Sequence, residues 1–273
     1  MSEKREFLAV SKEQAVFLAQ IRRRKAAVAG IQMLLLVLFF MLWEMAARYG
    51  WIDPFIFSQP TRMTEAAIKM IQDGSLWMHI STTLWETVAG FLLGTILGTL
   101  AAVLLWWNRF ICDVSEPYLV VLNALPKTAL APIIIVWFGN TQKSIIIVAL
   151  LTSVVVTILS VLNGFLQVDE EKIKLIRIFG GTKKQILTKV VFPANIPVIL
   201  NALKINVGLS FVGVIVGEFL VAQKGLGFLI IYGGQIFKLD WVMLSVIILS
   251  LLAAGMYQAI AIVEKRFTKW QSS

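Results

Sequence analysis

The sequence predicts an all-α integral membrane protein with six transmembrane helices. Three observations predict it: overall hydropathy, the lengths of the apolar runs, and an uneven distribution of basic residues. Of the 273 residues 58% are hydrophobic and 15% charged, with a mean hydropathy of +0.82. Soluble domains carry about 25% charged residues, so the composition excludes a cytosolic enzyme. A disordered chain needs low hydrophobicity and high charge and is excluded as well.

A bilayer core of about 30 Å takes roughly 20 apolar residues per helix. Such runs occur at 27–47, 87–107, 118–138, 144–165, 196–222 and 241–263. The expected organisation is a cytoplasmic N-terminal segment over 1–26, a six-helix domain over 27–267 and a cytoplasmic tail over 268–273. Within the second run Gly90, Gly94 and Gly98 recur every four residues, which suits close helix packing; glycine is also simply common in transmembrane helices. The third run is interrupted by Pro126 and Pro132, and proline breaks a helix through its missing N–H and ring clash.

With the N-terminus inside, the cytoplasmic pieces hold seventeen Lys and Arg, among them Arg22, Arg23, Arg24, Lys25, Lys183 and Lys184, against six on the other side. Basic residues collect in cytoplasmic loops, so both termini are expected there. The same rule accounts for the net charge of +9. A nucleic-acid partner is not expected, because the aromatics that would stack on bases sit inside apolar runs.

The connection between the fourth and fifth runs, about 168–195, is too long for an idle turn. Its apolar residues Ile173, Ile176, Phe179, Ile186, Leu187, Val190 and Val191 fall at helical spacing. Gly180-Gly181 interrupts the pattern and Pro193 follows it. The expectation is two short amphipathic helices joined at a glycine turn, the second stopped by Pro193. Taken alone, such helices could simply rest in the membrane interface.

Gly180 and Pro193, in the frame Gly-Gly-Thr-Lys-Lys-Gln-Ile-Leu-Thr-Lys-Val-Val-Phe-Pro, resemble the EAA loop of binding-protein-dependent ABC importer permeases. Lys174, Leu175 and Ile176 stand at the Glu-Ala-Ala positions. The segment from Ala124-Leu125-Pro126-Lys127 through Pro132 to Trp137-Phe138-Gly139 is similar to the nitrate/sulfonate/taurine branch of that family. So are Gly213 to Phe219, followed by Gly225-Leu226-Gly227, together with Ser58-Gln59-Pro60 and Thr83 to Gly90. Glu86 departs from the branch, where many relatives carry a basic residue.

The resemblance implies a type I ABC importer permease fold. It makes Lys174, Leu175, Ile176, Gly180, Gly181 and Pro193 part of a coupling helix region that docks an ATP-binding subunit. It further implies a second copy of the chain, an extracytoplasmic substrate-binding protein and surrounding membrane lipid. The solute would be small and anionic, or a pyrimidine vitamin precursor.

Ionisable residues in apolar runs are functional candidates by default. Lys127, beside the break at Pro126, either lies near the pathway or snorkels to the surface. Glu218 stands at a subunit interface, in an outer gate, or at a solvated helix end. Lys204 is expected to snorkel, Glu86 to sit at an entrance, and His79 to be an interface residue outside the membrane.

No Gly-x-x-x-x-Gly-Lys-Ser/Thr occurs, so the chain has no phosphate cradle of its own. Cys112 and His79 are single, which leaves no intrachain disulfide, no Ser/His/Asp or Cys/His catalytic set and no expected cofactor. An ion-driven carrier is the competing class; it would favour internal repeats and paired intramembrane carboxylates, whereas no convincing repeat is seen and the carboxylates are scattered along the sequence.

Overall fold

The computed structural model describes residues 12–271. Residues 1–11 of the expected N-terminal segment, and Ser272 and Ser273 of the expected tail, lie outside the described residues. The chain divides after Thr64 into two compact units.

The first unit contains α1 (Lys12–Arg48) and α2 (Pro54–Phe57). α1 starts well ahead of Ala27, because the intervening Arg, Lys, Gln and Ala residues are strong helix formers and no breaker separates them. Asp53 caps α2 by accepting the Phe55 N–H at 2.8 Å, with Pro54 in the first turn. Glu44 is fully engaged: it accepts from Arg48 Nε at 2.7 Å, Thr61 Oγ1 at 2.5 Å and Thr61 N at 3.1 Å.

α3 (Pro60–Gln72) crosses the boundary into the second unit. There follow α4 (Ser75–Trp107), α5 (Arg109–Ala124), a 3-10 turn at Lys127–Leu130, α6 (Ala131–Phe138) and α7 (Gln142–Leu166). α8 (Glu170–Ile178) and α9 (Lys183–Ile186) lead through a π-helical turn at Leu187–Val191 to α10 (Phe192–Ala194). α11 (Ile196–Val221), α12 (Leu226–Gln235) and α13 (Leu239–Gln271) complete the unit. Asp73, ahead of α4, is held below the usual carboxylate range by the Ser75 hydroxyl and then by the Ser75 N–H, which donates to it at 2.8 Å.

Among the described residues, five helices are long and apolar enough to cross a membrane, in α1, α4, α7, α11 and α13. The expected third span is not one helix. α5 starts at Arg109, and the chain bends by 85° between Ala124 and Lys127. Pro126 explains the bend, since it cannot continue the α5 hydrogen-bond ladder. Pro132 breaks nothing: it occupies the first turn of α6, where its missing N–H has no intrahelical partner to lose. Counted as one crossing, the bent pair makes six spans.

Facing residues fix the helix directions. Gly90, Gly94 and Gly98 of α4 lie against Ala149, Ser153 and Thr157 of α7. The two sets of numbers rise together, so α4 and α7 are parallel, and the bent α5–α6 pair must carry the chain back between them. Thr83 meets Glu218, and Thr95 meets Asn206, so α4 and α11 are antiparallel. The 167–195 connection therefore lies at the end where α4 finishes, here termed the loop end. The turns at 139–141 and 222–225 lie at the far end.

The glycine series acts in packing. An added Cβ at Gly90 would fall 2.5 Å from Ala149 Cβ, and one at Gly98 2.6 Å from Thr157 Cβ. Small residues let two backbones approach where lipid offers no hydrophobic driving force. Asn206 Nδ2 donates to Thr157 Oγ1 at 2.7 Å and Thr95 Oγ1 at 3.0 Å, joining α4, α7 and α11. Lys204 Nζ pairs with Glu264 of α13 at 2.5 Å.

Candidate functional site

The 167–195 connection folds into a short, rigid knuckle. Asp169 opens α8 by accepting the Glu171 N–H at 2.9 Å, and Glu170 and Glu171 in the first turn with Arg177 in the last suit the helix dipole. The end of α8 is a Schellman arrangement. The Gly180 N–H donates to the Arg177 carbonyl and the Gly181 N–H to the Ile176 carbonyl, each at 2.9 Å. Gly180 takes φ +74, which glycine adopts without strain. Gly181 has a different reason to be glycine: a Cβ there would lie 2.7 Å from the Ile176 carbonyl oxygen.

Thr182 then starts α9 with a reciprocal cap. Its N–H donates to Gln185 Oε1 at 2.7 Å, and its Oγ1 accepts the Gln185 N–H at 3.3 Å. Ile186 and Val191 are buried with Ala102, Cys112, Val161, Leu162 and Phe165. The second half of the knuckle thus roots in the loop ends of α4 and α7 and does not merely rest on an interface. Leu175, Ile178 and Phe179 face outward, 54%, 81% and 81% exposed.

The structure brings three of the six expected coupling residues together in one groove. Leu175, Ile176 and Pro193 line one groove of about 390 Å³ with Lys172 and Lys189 on its sides. Lys174 stands outside that group and pairs with Glu170 at 3.5 Å on the exposed face. Pro193 does not stop the second helix. The π-helical turn before it and α10 carry the chain on to Asn195, because the wider π turn accommodates a residue that lacks an N–H.

Pro126, Lys127 and Glu218 are placed differently. Pro126 is exposed at the bend, and Lys127 Nζ donates to the Asn123 carbonyl at 3.1 Å, bridging back across the break. Glu218 is 1% exposed and is not a solvated helix end. Its Oε1 accepts from Thr83 Oγ1 at 2.6 Å and its Oε2 from the Gly227 N–H at 2.5 Å. Gly225 and Gly227 leave the room: a Cβ at either would collide with the Glu218 carboxyl.

Two residues, Glu86 expected at an entrance and His79 expected at an interface outside the membrane, belong to this far-end cluster. Glu86 is fully buried beside Glu218 and lines a cavity of about 220 Å³ with Lys224 and Gln142, so these two carboxyls are paired and not scattered as expected, because the antiparallel packing of α4 and α11 brings distant positions together. His79 lies inside α4, and the Gly225 N–H reaches its Nδ1 at 3.0 Å. The span 83-to-218 pairing has no local signal in the sequence, whereas the Thr-x-x-Gln cap at 182–185 does.

Residues 94–269 match the family described as binding-protein-dependent transport system inner membrane component. A "Probable ABC transporter permease protein" of Haemophilus influenzae is 30% identical, covering 83% of this chain and 92% of the relative. The formylaminopyrimidine transport permease protein ThiX of Halalkalibacterium halodurans is 28% identical over 87% of this chain and 94% of its own. The taurine transport system permease protein TauC of Escherichia coli is 22% identical over 84% and 85%. Among solved structures, an inward-facing MetNI methionine ABC transporter matches with a TM-score of 0.63 at 19% identity, covering 70% of this chain and 97% of that one. That likeness bears on the fold, which is the type I importer permease arrangement. On the family match and the relatives' coverage, this chain belongs to the inner membrane components of binding-protein-dependent ABC transport systems.

Proposed function

We propose that the chain forms, with a second copy of itself, the translocation pathway of an ABC importer for a small anionic solute of the sulfonate, taurine or nitrate type. An ATP-binding subunit docks on the knuckle, and a substrate-binding protein delivers solute from outside. The observation that carries this reading is the apolar edge of Leu175, Ile178 and Phe179, held out on a rigid, otherwise polar and basic loop. Clustered exposed apolar side chains mark a protein or a membrane contact, and the family's ATP-binding subunit is the protein that fits here.

In this reading the ATPase activity resides in the separate subunit, and closure of two such subunits rocks the knuckles. Lys174, Leu175, Ile176, Gly180, Gly181 and Pro193 form or shape the dock. Pro126 and Lys127 line the pathway at the bend, and Glu218 helps close the far end. The loop end faces the cytoplasm of a prokaryotic cell, in agreement with its Lys172, Lys174, Lys183, Lys184 and Lys189. Similarity to the taurine permease supports the anionic solute. The second reading, a pyrimidine vitamin precursor, is favoured by the likeness to ThiX.

Gly180→Asp tests the dock. No atom lies within 4 Å of an added Cβ, and Asp is among the residues that visit the left-handed region most readily. The left-handed φ makes the change cost about 1 kcal/mol, confined to an exposed turn, so the chain should still reach the membrane at normal levels. The new anion beside Phe179 should cut both ATPase co-purification and uptake by about tenfold, the effect of about 1.4 kcal/mol. Unchanged co-purification and uptake would remove the reading.

A further inference from the structure

Lys183 is engaged in a way that the docking role leaves unexplained. It is the first residue of α9, yet its Nζ reaches across to the Trp107 carbonyl at 2.5 Å. The same ammonium lies 5.7 Å from the ring centroids of both Trp106 and Trp107. Trp107 ends α4, so its carbonyl is one of the last four that have no partner within the helix. A cation there also meets the negative end of the helix dipole. Trp106 in turn stands edge-on to Phe165 of α7, with centroids 6.5 Å apart.

The other link between α9 and the spans is of a different kind. Ile186 is buried among apolar side chains, a contact that is non-directional and tolerates sliding. A charge-assisted hydrogen bond to a backbone carbonyl is shorter and about twice as strong as a neutral one, and it is lost once the partners separate. It attaches to the main chain of α4 itself, and the tryptophan rings on either side restrict where the ammonium can go.

We propose that Lys183 is the tie that makes α4 move with the knuckle, a positioning residue that passes ATPase closure to the membrane helices. The proposal rests on the reading that the knuckle is the ATPase dock. The Lys183 ammonium is engaged at the end of α4, whereas the apolar edge of Leu175, Ile178 and Phe179 belongs to α8 and its C-cap, so loss of the ammonium should leave docking intact. Without the tie, the knuckle can shift while the end of α4 lags behind.

The test uses the full transporter, with its ATP-binding subunit, in lipid nanodiscs and a Cys112→Ala background. Spin labels are attached at Leu104→Cys on α4 and Lys184→Cys on α9, and distances are read by pulsed electron resonance with and without a non-hydrolysable ATP analogue. In the parent and in K183R the Leu104–Lys184 distance should stay the same when nucleotide binds. In K183M, which keeps length and loses the cation, the distribution should shift on nucleotide binding. A K183M distribution that does not respond, while the ATPase remains bound, would overturn the tie and leave the dock standing. Equal shifts in K183R and K183M would also overturn it, because the cation would then be irrelevant. Loss of the ATPase from K183M alone would make Lys183 a dock residue and overturn the tie. Failure of the parent to retain any ATPase would overturn the dock and the tie together.

Discussion

Gly213→Ala is expected to remove about 3 kcal/mol of stability, the upper part of the range for overpacking a tight core. The added Cβ would stand 2.5 Å from Ala149 Cα, 2.6 Å from Thr152 Oγ1 and 3.0 Å from Ala149 N. Two of these three atoms are main chain and cannot swing aside, so α7 and α11 must part. Parting them also stretches the Thr152 Oγ1 hydrogen bond to the Leu209 carbonyl, now 3.1 Å, which links the same two helices. Gly208→Ala on the same helix is the control. Nothing lies within 4 Å of its Cβ, and alanine is favoured over glycine in a helix by about 1 kcal/mol. Thermal unfolding of the two variants in detergent should show a large fall for Gly213→Ala and no fall for Gly208→Ala. Equal behaviour would mean that the α7–α11 seam is looser than described.

Glu218→Ala should be similarly costly for another reason. It strips the acceptor from two well-buried donors, the Thr83 hydroxyl and the Gly227 N–H, with the Phe228 N–H at 3.4 Å as a weaker third. An abandoned buried donor costs about 1–3 kcal/mol, so the total is about 3–5 kcal/mol. Glu218→Gln keeps one accepting oxygen but turns an NH₂ toward a donor, and should fall between the two. Because these bonds tie α4 and α11 to the turn before α12, the loss should appear first at the far end, as faster amide exchange at Gly225 to Phe228. Wild-type exchange in Glu218→Ala would mean the cluster does not hold that turn.

The spans were legible because hydropathy asks only for composition over a window. The run at 144–165 corresponds to Gln142–Leu166, and the run from Ile196 ends within a residue of Val221. The start of α5 was not legible. Arg109, Asp113 and Glu116 lower the hydropathy of a segment they leave fully helical, and Pro117 is tolerated inside it. The π-helical turn around Pro193 was hidden because proline ordinarily signals a stop.

Legibility of the site follows the same division between local and distant. The glycine turn, the caps and the apolar spacing of the knuckle are local and could be read from residues 169–193. The burial of His79 and Glu86 depends on Gly225 and Glu218, well over a hundred positions away, so an apolar-run reading could not bury either of them. Lys183 looked like one more basic loop residue, since its partners Trp106 and Trp107 belong to another span.

The central claim, that the knuckle receives an ATP-binding subunit, is tested most directly by a photo-crosslinking amino acid placed at Phe179, whose side chain is 81% exposed at the tip of α8. The same probe at Gln72, ahead of the far-end start of α4, serves as its counterpart. Irradiating cells that make the whole transporter should join Phe179 to the ATP-binding subunit and leave Gln72 free of it. A fully active transporter that gives no such product at Phe179, or gives it at Gln72, would contradict the account.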